Sequence, residues 1–187
     1  MIEDYFDYEA SIEGLAEFYN GEVFDMAGGS ENHSSISQNV SGEIRSRLGT
    51  GPCRVHGSDF RLRIDSTNDF VRPEVWVICG KTERYKDRND TAKNPTLVIE
   101  VQSESTTNFD RSGKFQRYRS IPTLMEYVLV EQTHPQVDLF FRKSDDIWEF
   151  RSITDLRAEV VFQSLGVAVP MADIYRNVEF EAVEVKV

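Results

Sequence analysis

Val71-Arg72-Pro73-Glu74-Val75-Trp76-Val77-Ile78-Cys79 and Leu97-Val98-Ile99-Glu100-Val101-Gln102 are the two stretches on which the reading of this chain turns. Both are short, dense and rich in β-branched residues, as strands buried on both faces tend to be. Each is interrupted by an acid. A carboxylate inside a hydrophobic strand is rare, because burying it without a partner costs several kcal/mol. Either the acids reach solvent or a buried base such as Arg72 or Lys114, or they converge on something that needs negative charge. Side chains alternate along a strand, so residues 100 and 102 share one face. Glu74, Glu100 and Gln102 then present polar groups where a divalent cation could bind. Mg²⁺ takes few carboxylates, keeps several waters and leaves room for a phosphate oxygen. That chemistry suits phosphodiester hydrolysis, in which the metal polarises the phosphate and activates a water.

Around these strands the chain supplies a conventional frame. Ser30 is a good N-cap, and Ile36, Val40, Ile44 and Leu48 follow at a spacing of four, closed by Gly49 and Gly51. This is one stripe of an amphipathic helix, which leaves Arg45 and Arg47 exposed. Phe18-Tyr19-Asn20-Gly21-Glu22-Val23-Phe24 carries a strong hairpin signal, Asn-Gly between apolar flanks. A short exposed helix is expected over Asp7 to Phe18, and a second helix over Asp110 to Ser120 with Phe115 and Tyr118 on one side. Cys53 and Val55, then Phe60, Leu62 and Ile64, alternate with polar residues, and Gly57 allows a bulge between the two sets. The segment from Gly80 to Asn94 is charged and reads as an exposed loop. Three further strands are expected at Glu126 to Val130, Val137 to Phe141 and Trp148 to Ile153, with a closing strand and a short helix at Met171 to Tyr175. The fold class is α/β (α+β), a central mixed sheet flanked by two helices. Residues 1–187 read as one domain: an acidic helix and hairpin over 1–29, a core over about 30–132, and C-terminal strands with a short helix over 133–187.

Composition narrows the class. The 187 residues are 40% apolar and 28% charged, enough to bury a core without metals or disulfides and too apolar for a disordered chain. The longest apolar run, Val75 to Cys79, is far short of the roughly 20 residues of a membrane span. No secretory signal is visible at the N-terminus, so a cytoplasmic protein with Cys53 and Cys79 reduced in the core is expected. The net charge of −11 is unevenly spread: residues 1–31 hold nine acids and no Lys or Arg, leaving 23 acids and 21 bases in the other 156 residues. Basic clusters remain around Arg45 and Arg47 and around Arg111, Lys114 and Arg117. Gly80-Lys81-Thr82 lacks the upstream glycine of a phosphate loop, since that position is Val75. Gly49-Thr50-Gly51 follows a helix and lacks a third glycine. His33, His56 and His134 have no zinc-ligand spacing.

The order and spacing of these pieces resemble the PD-(D/E)XK nuclease superfamily, and within it the Uma-type restriction-endonuclease branch of bacteria. The resemblance spans about residues 13–180. It rests on Glu17-Phe18-Tyr19-Asn20-Gly21-Glu22, Met26-Ala27-Gly28-Gly29-Ser30, His33, Arg72-Pro73-Glu74-Val75, Val98-Ile99-Glu100-Val101, Asp110-Arg111 with Lys114, and Glu126-Tyr127-Val128-Leu129-Val130. It implies a restriction-endonuclease-like mixed sheet flanked by helices, with Glu74, Glu100 and the backbone carbonyl of Val101 as ligands of Mg²⁺ or Mn²⁺. The lysine that commonly follows the second acid is here Gln102, and its role passes to Lys114 on the next helix, with Asp110 able to orient it. Glu22 and His33 match polar positions at the edge of the site, and the usual first acid, Asp, is replaced by Glu74. The implied function is a Mg²⁺-dependent DNA endonuclease. Arg45, Arg47, Arg111 and Arg117 are its candidate nucleic-acid contacts, RNA is an alternative substrate, and a homodimer is an allowed assembly. The competing reading is a weakened or inactive nuclease-fold module that binds nucleic acid or a protein partner.

Overall fold

A computed structural model describes residues 2–26, 28–102 and 113–180. Its centre is a six-stranded mixed sheet built from β3 (Cys53–Gly57), β6 (Val75–Cys79), β8 (Leu97–Gln102), β9 (Glu126–Glu131), β10 (Val137–Arg142) and β11 (Trp148–Ile153). The spatial order is β11-β10-β9-β8-β6-β3, antiparallel throughout except for the parallel pair β8 and β9. A five-stranded sheet lies beside it, in the order β2 (Glu22–Asp25), β1 (Ala16–Tyr19), β5 (Asp69–Val71), β4 (Arg61–Ile64) and β7 (Thr91–Ala92). A hairpin of β12 (Glu159–Phe162) and β13 (Val167–Pro170) completes the strands.

The helix read from Ser30 is α2 (Glu31–Leu48). The Ser30 hydroxyl accepts from His33 N at 3.1 Å, and Gly49 closes the helix at φ 54°. Residues at spacing four lie on one face of a 3.6-residue helix, so Ile36, Val40 and Ile44 are fully buried and Leu48 partly so. They pack on Val75, Val77, Leu97, Ile99 and Val101, with β12, β13 and the helix Met171–Ile174 closing that side. The opposite face of the same strands carries Trp76, Ile78, Val98, Tyr127 and Leu129. It is covered by Leu62, Ile64 and Val71 of the second sheet and by Tyr118, on the short helix α3 (Phe115–Tyr118).

The Asn-Gly hairpin forms as expected, since Asn20 (φ 55°) and Gly21 (φ 86°) both take the positive φ that a tight turn between twisted strands needs. Several local expectations change. The first helix is α1 (Ile2–Ser11), earlier than Asp7 to Phe18, and it is not simply exposed, because Tyr5 is fully buried against Phe18 and Phe70. Ala16 and Phe18 alternate inward on a strand instead of continuing that helix. Val71 to Cys79 is not one strand: Pro73 cannot donate to a ladder, and the chain leaves the five-stranded sheet after Val71 and enters the six-stranded sheet at Val75. Cys53 to Gly57 and Arg61 to Ile64 likewise belong to different sheets, and all four residues of β4 are buried. Within the charged 80–94 segment, Thr91 and Ala92 are buried as β7. Cys53 and Cys79 are not reduced. They are directly opposite in the β3–β6 register and form a disulfide.

Candidate metal centre on opposed carboxylates

The register of β6 and β8 draws the two acids together, Glu100 within β8 and Glu74 half-buried in the bend one residue before β6. Val75 pairs with Ile99, Trp76 with Val98 and Val77 with Leu97, so the next step brings Glu74 opposite Glu100. Both side chains belong to the face that carries Trp76 and Val98. Glu74 lies near enough for its charge to act on Glu100, and like charges on neighbouring strand positions are destabilising. Glu100 is 1% exposed. Burial first, and then the neighbouring Glu74 carboxylate, push its carboxyl up to about 8, against the opposing pull of Lys114 and Tyr118.

Each carboxylate is engaged through one oxygen. Glu100 Oε1 accepts from the Tyr118 hydroxyl at 2.7 Å and lies 3.2 Å from Lys114 Nζ. Glu74 Oε1 lies 3.3 Å from His33 Nε2. The second oxygens, Glu74 Oε2 and Glu100 Oε2, are buried and have no hydrogen-bond partner among the described residues. Buried carboxylate oxygens left unsatisfied are costly. Without a metal the proton that Glu100 retains is shared with Glu74, and a hard divalent cation between the two is the ligand that could replace that proton. No group of three His, Cys, Asp or Glu side chains among the described residues is arranged to hold a metal ion by itself. A cation held here would therefore complete its shell with amide, backbone or water oxygens, as Mg²⁺ commonly does.

The remaining residues singled out in the sequence fall in several places. Gln102 is 1% exposed on the same strand face as Glu100, opposite Glu131 of β9. Val101 packs its side chain into the α2-side core, so it could serve the site only through its backbone. His33 stands in the first turn of α2, above Gly29. A Cβ at Gly29 would come within 2.6 Å of His33 Nδ1, so the glycine makes room for the imidazole. Glu22 is exposed on β2, opposite Tyr19. Arg45 and Arg47 are exposed in the last turn of α2, about 18–21 Å further along the helix than His33 at 1.5 Å per residue. Arg117 is paired with the fully buried Asp69 and lies over the Tyr19 ring, tying α3 to the β1–β2 hairpin. Asp110 and Arg111 lie outside the described residues.

Three contributors escaped the sequence reading. Tyr118 is the first; its position one turn after Lys114 is the signal that could have found it. Glu17 is the second: on β1 it alternates with the buried Ala16 and Phe18. Its Oε1 accepts from the backbone N of Arg72 at 2.6 Å, and its charge adds to the burial and the Glu100 charge that raise the Tyr118 phenol. The third is the anchor behind Pro73-Glu74. The Arg72 guanidinium, expected as a partner of the acids, instead binds Glu9 and the carbonyls of Ala16, Ser58 and Asp59.

A mixed sheet whose adjacent strands present opposed acids, with a lysine delivered from the following helix, defines a restriction-endonuclease-like fold. The chain belongs to the Uma2 family, described as "Putative restriction endonuclease", which matches residues 2–172. Two uncharacterized proteins of Synechocystis sp. resemble it. One is 33% identical over 95% of this chain and 92% of its own length, the other 30% identical over 88% and 93%. In fold it is similar to a crystal structure titled as a putative nuclease of DUF820 from Anabaena variabilis. That similarity has a TM-score of 0.68 at 14% identity and covers 90% of this chain and 96% of that one. The family description suggests a nuclease, and the structural likeness is one of fold. No helix among the described residues is long and apolar enough to cross a membrane.

Proposed function

We propose that this chain is a metal-dependent endonuclease that hydrolyses phosphodiester bonds in DNA. The observation that carries the reading is the opposed pair Glu74 and Glu100, each with a buried oxygen that has no hydrogen-bond partner among the described residues. Glu74 and Glu100 would hold Mg²⁺ or Mn²⁺, with Gln102 and the Val101 carbonyl at hand. When bound, the cation supplies Lewis-acid polarisation of the phosphate and an activated water. Lys114 supplies positive charge to the developing negative charge of the transition state, which the neutral Gln102 cannot. Its 3.2 Å contact with Glu100 keeps it within reach of the same point. His33 holds Glu74 from the other side, and Arg72 and Glu17 fix the backbone that presents it. RNA offers the same phosphodiester and is the alternative substrate; a homodimer is compatible with the reading.

The acidic residues 1–31 favour a second reading, a nuclease-fold module that binds a protein partner without cleaving, because phosphate contact drives most DNA affinity. Plasmid cleavage separates the two. The wild type should nick or linearise supercoiled DNA with Mg²⁺ or Mn²⁺ and not with a chelator. Lys114→Ala and Glu100→Ala should remove that activity while the protein stays folded. Cleavage by both variants at the wild-type rate would reject the assignment.

A further inference from the structure

Glu100 treats its two oxygens differently, and the difference is made by one short helix. Lys114 and Tyr118 are one turn apart, and both reach Oε1, at 3.2 and 2.7 Å. Oε2 of the same carboxylate is buried and has no hydrogen-bond partner among the described residues. A lysine ammonium is a point charge on a flexible stem and does not choose between two carboxylate oxygens. A phenol on a packed ring does. The Tyr118 ring lies 5.3 Å from that of Tyr127 and is 1% exposed, so its hydroxyl is fixed in place. Its single proton goes to Oε1.

We infer that Tyr118 is a positioning residue for the cation site: it fixes the rotation of the Glu100 carboxylate and commits Oε1 to the protein, leaving Oε2 as the ligand atom. Glu74 has the same division, with His33 on Oε1 and nothing among the described residues on Oε2. The two oxygens without such partners belong to carboxylates that face one another across β6 and β8. Residues that orient metal ligands without touching the metal commonly change affinity 10- to 100-fold when removed. This inference rests on the reading of Glu74 and Glu100 as a cation site.

The test is Mn²⁺ binding by calorimetry at fixed pH. Tyr118→Phe keeps the ring and its packing on Tyr127 and removes only the donor. It should bind Mn²⁺ about 10- to 100-fold more weakly while melting close to the wild type. Glu100→Asp keeps a carboxylate but shortens it by one methylene, away from the phenol. Adding Tyr118→Phe to Glu100→Asp should then cost no further affinity. Val40→Ala, which loosens the core on the other face of the sheet, should bind as the wild type, so that a general loss of stability is distinguished from a positioning effect. Wild-type affinity in Tyr118→Phe, or an equal loss in the Glu100→Asp background, would overturn the role given to Tyr118 and leave the site standing. Wild-type affinity in Glu100→Ala would overturn the site itself, and this inference with it.

Discussion

Replacing Glu100 with Gln should stabilise the metal-free protein near neutral pH and change little in mild acid. The carboxyl titrates at about 8 in the fold, against 4.5 ordinarily, because burial and the Glu74 carboxylate oppose its charge. A raised acid binds its proton more tightly folded than unfolded, so stability falls as pH rises between these two values. Below about 4.5 both states are protonated and there is no penalty; above about 8 both are ionised and the penalty is complete. At pH 7 the gap of 2.5 units, at 1.36 kcal/mol each, corresponds to roughly 3 kcal/mol. Gln carries no charge and still accepts from Tyr118, so most of this should return as stability, on the order of 2–3 kcal/mol at pH 7. For a chain of this length that is a rise of roughly 5–10 °C in melting temperature. Urea or thermal unfolding of both proteins with a chelator, at pH 4.5 and pH 7.5, measures it. Parallel stability profiles, or a Gln variant less stable than the wild type at pH 7.5, would refute the claim that the neighbouring carboxylates destabilise the protein when no cation is bound.

Other outcomes follow from the same framework. Val40→Ala should cost about 1–3 kcal/mol, since it removes fully buried volume from the α2 stripe; a urea-unfolding loss under about 0.5 kcal/mol would place the stripe outside the core. Breaking the Cys53–Cys79 link, which spans 26 residues, should cost about 3 kcal/mol. The wild type should therefore lose stability with reductant, and a Cys53→Ser/Cys79→Ser double variant should not respond to it. Arg45→Ala with Arg47→Ala should weaken DNA binding and flatten its salt dependence by roughly two phosphate contacts if this end of α2 meets the backbone. Mn²⁺ affinity should stay unchanged in that variant, since the arginines are far along the helix from His33.

What was legible in the sequence was whatever local periodicity or a local clash of chemistry could encode. The spacing of Ile36, Val40, Ile44 and Leu48 dictates a buried helix face, and Asn20-Gly21 dictates a turn. Glu74 and Glu100 stood out because an acid in a β-branched strand needs a reason. What the sequence could not show was pairing between distant strands. Val71 and Val75 read as one run, yet Pro73 sends them to different sheets. The second sheet, which covers the Trp76 face, therefore went unseen. Cys53 and Cys79 carried no spacing motif, and only the β3–β6 register makes them neighbours. Tyr118 looked like an ordinary core residue of an amphipathic helix; its hydroxyl became informative once Glu100 was known to lie across from it. Arg72, adjacent to the acid in sequence, points instead to Glu9, more than sixty residues earlier.

The most direct measurement is a calorimetric titration of Mn²⁺ into the wild type and Glu100→Ala under identical conditions. The account expects one cation per wild-type chain, with proton release at pH 7 because Glu100 must ionise to bind it, and no saturable binding in the variant. Equal binding by the two proteins would contradict it, because the cation would then lie somewhere other than between Glu74 and Glu100.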